Sequence, residues 1–264
     1  MNGSSQQDQS FYPWLPFLTL LKKEVLRFFR VSVQTLLTPI ISASLYLFVF
    51  GATLGTRISV LEGFTYAQFV IPGLVLMGII NNSFANVSSS LFMSRYLGNI
   101  VDLLVAPITP SQMIFAYTFA AMLRGLLVGS VVTLISLFFA PLPFAHPFLA
   151  VLMGCLASFL FAQFGIIAAI YSNSFDALSM YSNFLILPLI YLGGVFYPIS
   201  ILPPFWENLS RANPLFYLID GFRYALIGVG EVPLLFSFGF ACCVSLALFG
   251  WAAFLIKKGH RLRS

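Results

Sequence analysis

SRYLGNIVDLLVAPITPSQ, residues 94–112, interrupts an otherwise oily chain. Placed on a helix, 94–105 puts Arg95, Gly98, Asn99 and Asp102 on one face at i, i+3, i+4 and i+7. Leu97, Ile100, Val101 and Leu104 fall on the opposite face with the same spacing. Pro107 and Pro110 then forbid continuation, because a proline inside a helix removes a hydrogen bond and clashes with the preceding turn. A helix over 94–105 would be a rod of about 18 Å, too short and too polar to cross a bilayer. It is expected to lie along the cytoplasmic surface of a membrane with its polar face presented to the cytoplasm. The plainer reading is an amphipathic loop resting on headgroups.

The chain on either side needs a bilayer. Of 264 residues, 59% are hydrophobic, 8% are charged and 30 are Phe. Soluble domains are about one-quarter charged, and a water-soluble fold could not hide this much apolar surface. The net charge is +5, and its placement matters more than its size. Lys22, Lys23, Arg27 and Arg30 precede the first apolar run; Lys257, Lys258, Arg261 and Arg263 follow the last. Flanking spans, such clusters read as cytoplasmic anchors rather than as a nucleic-acid surface. Cys155, Cys242 and Cys243 all lie in apolar runs, so no secreted-type disulfide framework is expected. His146 and His260 have no Cys or carboxylate at ligand spacing, and no metal site is expected. Residues 1–10 lack an apolar h-region, so the first span is expected to act as an uncleaved signal.

One all-α membrane domain over 1–264 is therefore expected, with six spans at about 32–52, 66–90, 112–139, 148–171, 177–197 and 233–256. Residues 12–30 read as a helix in the cytoplasmic interface, Lys23, Arg27 and Arg30 toward headgroups and Trp14, Leu18, Leu21, Val25 and Phe29 toward lipid. With both termini cytoplasmic, nine Lys and Arg fall inside, while Arg57, Arg211 and Arg223 fall outside. The second span weakens into NNSFANVSSS, residues 81–90, whose Asn82 and Asn86 must face protein or a watery cavity. Residues 198–232 are rich in Pro and aromatics, with runs too short to cross. They read as outer re-entrant or interfacial helices, serving either as a gate or as a cap. Gly193 and Gly194, which allow close approach or a bend, together with Phe205 and Trp206 are the residues expected to form that outer gate.

Arg124 sits near the middle of the third span, where a charge facing lipid costs about 2.5–3.5 kcal/mol. It should face the bundle interior. One reading makes it an anchor for an anionic substrate group; the preferred one makes it a lock to a neighbouring span, with Asp220 and Asp176 as candidate partners. Asp176, like Ser174, can alternatively cap the fifth span.

QFVIPGLVLMGIINNSFANVSSSLF (68–92), NIVDLLVAPITPSQ (99–112), YLGGVFYPISILPPFW (191–206) and NPLFYLIDGFRYALIG (213–228) resemble, in this order, the corresponding blocks of ABC-2 type permeases. Those are the membrane subunits of ATP-binding-cassette exporters, and the similarity is to the bacterial inner-membrane transport permeases called YadH-like. The resemblance implies a type V exporter-like arrangement in the bacterial inner membrane. In it 94–105 is the coupling helix, with Arg95, Asn99, Asp102, Leu103 and Leu104 meeting a cytoplasmic ATPase. It further implies two ATPase copies carrying ATP and Mg, a second copy of the permease, and no cofactor on this chain. No G-x-x-x-x-G-K-[ST] run occurs here to cradle a nucleotide. An ion-coupled secondary transporter of amphipathic molecules is the alternative, although such proteins carry several intramembrane carboxylates or His for a relay, and here Arg124 alone is clearly placed inside a span. A membrane-embedded enzyme would need grouped His, Asp or Cys, which the sequence does not offer.

Overall fold

The computed structural model describes residues 14–30, 32–51 and 63–259. Among them no strand forms, as expected where every backbone polar group must be satisfied without water. The helices are α1 (Leu15–Arg30), α2 (Ser32–Tyr46), α3 (Tyr66–Tyr96), α4 (Ile100–Val105), α5 (Pro110–Ser136) and α6 (Pro147–Tyr171), followed by α7 (Phe175–Leu192), α8 (Pro204–Ala212), α9 (Pro214–Ile227) and α10 (Leu234–Lys258). Helices α3, α5, α6, α7 and α10 are each long and apolar enough to cross a membrane; a sixth crossing requires α1 and α2 to be taken as one pair, bent by 56°. Helix α2 reaches Gly51 only through a π turn at Leu47–Gly51, and α7 is wound as a π helix over Tyr181–Ile186. The expected loop residues Arg57 and Glu62, and Arg261 and Arg263, lie outside the described residues.

Local chemistry sets the boundaries. Thr65 and Thr109 begin α3 and α5 with the same reciprocal cap: Gln68 N donates to Thr65 Oγ1 (3.3 Å) while Thr65 N donates to Gln68 Oε1 (2.9 Å), and Gln112 and Thr109 repeat both distances. The NNSFANVSSS run does not end the second span. Its amides and hydroxyls bond back to the helix, Asn81 to Met77 O (3.0 Å) and Asn82 to Gly78 O (3.1 Å), and α3 continues to Tyr96.

Helix α3 is the axis of the bundle, flanked by α5 and α6, with 72% of its apolar window enclosed against 17% for α7 and 28% for α10. Helix association in lipid rests on close packing and hydrogen bonds rather than on the hydrophobic effect. Here it uses Gly125 and Gly129, one turn apart on α5. A Cβ on Gly125 would stand 2.1 Å from Ser83 Oγ on α3 and 2.7 Å from Ser158 Oγ on α6, and one on Gly129 would stand 2.6 Å from Ile79. Ser83 and Ser158 are hydrogen-bonded to each other in that space. The connectivity gathers the C-termini of α3 and α6, the N-termini of α5 and α7, and α4 at one end of the bundle. Residues 137–146, 193–213 and 228–233 gather at the other.

Candidate functional site

Helix α3 carries Asn82 and Asn86 one turn apart, 9% and 1% exposed. The Asn82 amide nitrogen is spent on Gly78 O, which turns its oxygen outward. Arg124 of α5 meets that oxygen through Nε (3.3 Å) and Nη2 (3.2 Å), and reaches Asn86 Oδ1 through Nη1 (3.5 Å). Arg27 of α1 donates through Nη2 to the same Asn86 Oδ1 (3.0 Å) and to Asn86 O (2.8 Å). One amide oxygen thus serves two guanidiniums. Arg27 is ion-paired through Nε to Glu24 Oε2 (3.1 Å), a fully buried carboxylate. The three residues singled out from sequence as intramembrane polar positions, Asn82, Asn86 and Arg124, therefore meet at one place.

Asp220 and Asp176 are not the partners of Arg124. Asp220 accepts from Glu231 N (2.8 Å) and Val232 N (3.0 Å), and Asp176 sits in the first turn of α7, where Ser174 supplies the cap to Ala177 N (3.1 Å). Arg27 was assigned to the headgroup face of an interfacial helix. Instead it turns inward, because the buried stripe of α1 is Leu20, Glu24 and Phe28; Trp14, Leu18 and Phe29 are exposed. Glu24 is a component the sequence reading passed over. Its signal was a carboxylate three residues before an arginine in an apolar helix.

Beside this cluster lies a cavity of about 710 Å³, walled by α1, α2, α3, α5 and Ser182 of α7. Arg27, Asn81, Asn82 and Arg124 line it together with Thr35, Ser42, Tyr46, Leu74 and Met77. Gly193, Gly194, Phe205 and Trp206 do not line it.

At the α4 end, the expected single helix over 94–105 is divided. Helix α3 runs through Ser94–Tyr96, Gly98 adopts φ +76° and breaks it, and α4 occupies only Ile100–Val105, about 9 Å long. A left-handed residue cannot propagate a right-handed helix, and glycine enters that region without penalty. Ile100 is buried and Leu103 packs against the core, whereas Asn99, Val101, Asp102 and Val105 are exposed, Val105 at 80%. The Leu104 side chain lies outside the described set. Arg95 is not on the exposed tip. Its Nη1 donates to the carbonyls of Ala169, Ile170 (2.8 Å) and Ser172 (3.3 Å), the last turn of α6, where acceptors lack intrahelical partners and the dipole favours a cation.

At the far end, Arg223, counted on the outer side from sequence, is 1% exposed. It stacks 3.9 Å over the Phe69 ring, donates to Phe69 O (3.4 Å) and Gly194 O, and has Asp220 Oδ1 at 4.0 Å. Glu231 accepts from Ile199 N (3.1 Å) and Ser200 N (3.2 Å). This network ties α3, α9 and the segments 193–200 and 231–232 together. Gly194, at φ +79°, is part of it; Phe205 and Trp206, by contrast, are 70% and 49% exposed on α8. Buried charge is thus more extensive than Arg124 alone.

Among the described residues the protein is an all-helical bundle with a short helix between its second and third expected crossings and a cavity lined in part by polar groups, the architecture of a membrane protein of the transport class. The family model for the ABC-2 type transporter matches residues 16–227, and the chain belongs to that family. It is 41% identical over 251 residues to the inner membrane transport permease YadH of Escherichia coli (strain K12), covering 95% of this chain and 98% of that one. It is also similar to nodulation protein J of Rhizobium meliloti (21% over 243 residues; 92% and 93% of the two chains) and of Sinorhizobium fredii (23% over 221 residues; 81% and 82%).

Proposed function

We propose that the chain is the membrane subunit of an ATP-driven exporter, seated in a bacterial inner membrane with both termini cytoplasmic. Two copies enclose the path, and two copies of a separate cytoplasmic ATPase bind and hydrolyse ATP with its Mg. The observation that carries this reading is the tip of α4. Val101, Asp102 and Val105 project from a short helix whose other face, Ile100 and Leu103, is seated on the bundle. Apolar side chains held out beside a carboxylate at this end of the bundle suit a surface that meets a protein partner.

The geometry supplies a route for motion. Three residues, 97–99, join α4 to α3, and four, 106–109, join it to α5. These two helices carry Asn82, Asn86 and Arg124. Arg95 fastens the end of α3 to the end of α6, so a push on α4 is passed to α3, α5 and α6 together. Helices α3 and α5 line the cavity opposite α1 and α2. In this division of labour the chain binds and guides, and its partner does the phosphoryl chemistry.

The test is gentle purification of the tagged permease, with mass spectrometry asking for a subunit that carries a nucleotide-binding P-loop. Val105→Asp is expected to reduce co-purification of that subunit about tenfold, a loss of the size carried by one anchoring side chain, while the elution profile of the permease stays unchanged. Undiminished association with undiminished ATP-dependent transport would overturn the reading.

A further inference from the structure

The cavity beside Arg124 carries unbalanced positive charge. Two guanidiniums, Arg27 and Arg124, reach its wall, and no Asp or Glu lines it. Arg27 is balanced by Glu24. Arg124 has no carboxylate within 4.0 Å among the described residues; its contacts are the neutral amide oxygens of Asn82 and Asn86 and, at 5.8 Å, the Phe28 ring. A guanidinium offers five N–H groups in a planar fork. Three engage these amides, one each on Nε, Nη1 and Nη2, which leaves one on each terminal nitrogen. Those remaining N–H groups are available to the oxygens of a phosphate or carboxylate. The rest of the lining mixes hydroxyls (Thr35, Thr38, Ser42, Ser89) with the apolar side chains of Pro39, Ala43, Leu74, Met77 and Val132.

We infer that this cavity binds an amphiphile with an anionic head, the head seated on Arg124 with Arg27 adjacent and the apolar chain laid along α2 and α3. The inference rests on the transport reading for its purpose but not for its test. The electrostatics favour an anion over a cation or a sugar head. A cation would meet two guanidiniums in a low-dielectric site, and a neutral head would leave the Arg124 charge uncompensated. The remaining amides and hydroxyls, such as Asn81 and Ser182, can donate to the oxygens of the head without contributing charge.

The experiment uses the permease alone, in nanodiscs of zwitterionic phosphatidylcholine, so it does not depend on the ATPase. Labelled dodecyl phosphate is expected to bind saturably and about tenfold more tightly than dodecyltrimethylammonium or dodecyl maltoside, the discrimination of one charge-assisted pair. Arg124→Gln should abolish the preference. Because Arg124 also ties α5 to α3, Asn81→Asp is the second variant. It puts a carboxylate in the cavity wall without removing any contact of Arg124, and it should weaken dodecyl phosphate about tenfold. Arg211→Gln, exposed on α8, should change nothing. Repeating the titration in phosphatidylglycerol nanodiscs separates two sources of the same chemistry. A tenfold loss of apparent affinity marks a bilayer phospholipid as the resident, whereas unchanged affinity marks an amphiphile that enters past the bulk lipid. Equal affinity for the cationic and anionic probes would overturn the inference. So would folded Arg124→Gln and Asn81→Asp proteins that bind like the parent. Failure to recover an ATPase would sink the transport reading and leave this binding result standing.

Discussion

Arg223 is fully buried, whereas Arg124 is only partly buried and opens on the cavity, and the two are held differently. Arg223 is enclosed by carbonyls, the Phe69 ring and Asp220, and Asp220 in turn holds the backbone of Glu231 and Val232. Every partner is protein, and the group has no opening to the cavity. Its role is to hold the far end together. Removing one member of a buried charge pair exposes the other, which typically costs about 3–5 kcal/mol. Asp220→Asn, which also weakens two hydrogen bonds to the 231–232 backbone, is therefore expected to lower stability by about that amount. Thermal unfolding of the detergent-solubilised protein measures it. A shift no larger than that of the exposed Glu207→Gln would contradict the role, since Glu207 makes only an exposed pair with Arg211 of the kind worth little.

Among the elements, α5 shows how two features of the sequence act at different distances. Its start is written locally, by Thr109, Pro110 and Gln112, and was placed within two residues from sequence. Its packing depends on Gly125 and Gly129, a G-x-x-x-G spacing that the sequence reading did not use. The signal was present, but only the structure assigns that face to α3 rather than to lipid or to a second copy. Gly125→Val would drive a branched side chain into Ser83 and Ser158. Forcing α3, α5 and α6 apart is expected to cost about 1–3 kcal/mol and to disturb the Arg124 contacts with Asn82. The unfolding midpoint checks the first effect, and loss of anionic-probe preference in folded protein checks the second. Helix α4 is the converse case. Its amphipathic spacing was legible, but its length was not, because whether Gly98 continues a helix or takes positive φ depends on what surrounds it.

At the scale of the whole molecule, enclosure falls from 72% for α3 to 28% for α10 and 17% for α7. The outer helices keep apolar faces open, with Phe184 75%, Leu235 84% and Leu246 67% exposed. In lipid such faces are stable, so their openness alone does not demand a second copy. The cavity, however, is walled by α1, α2, α3, α5 and one residue of α7. The proposed exporter sets a second subunit opposite it. The purified complex is expected to show a native mass of two permeases and two ATPases; a single permease with full transport would overturn the dimer.

The sequence by itself determined the solvent, the helical class, the approximate spans and the display of a short amphipathic piece between the second and third. All of these follow from composition, from local spacing and from proline and threonine at particular positions. It also selected Asn82, Asn86 and Arg124 as polar groups that must face inward. Only the tertiary structure decided what they face. Arg124 is 42 residues from Asn82 along the chain, and Arg27 is 59 from Asn86, so no local pattern could pair them. The same holds for Arg95, read as part of an exposed polar face, and for Arg223, read only as lying on the outer side: the carbonyl end of α6 and the turn at Gly194 are what receive them. Where a charge rests inside a membrane is settled by which distant acceptors folding delivers, and that information is spread over the whole chain.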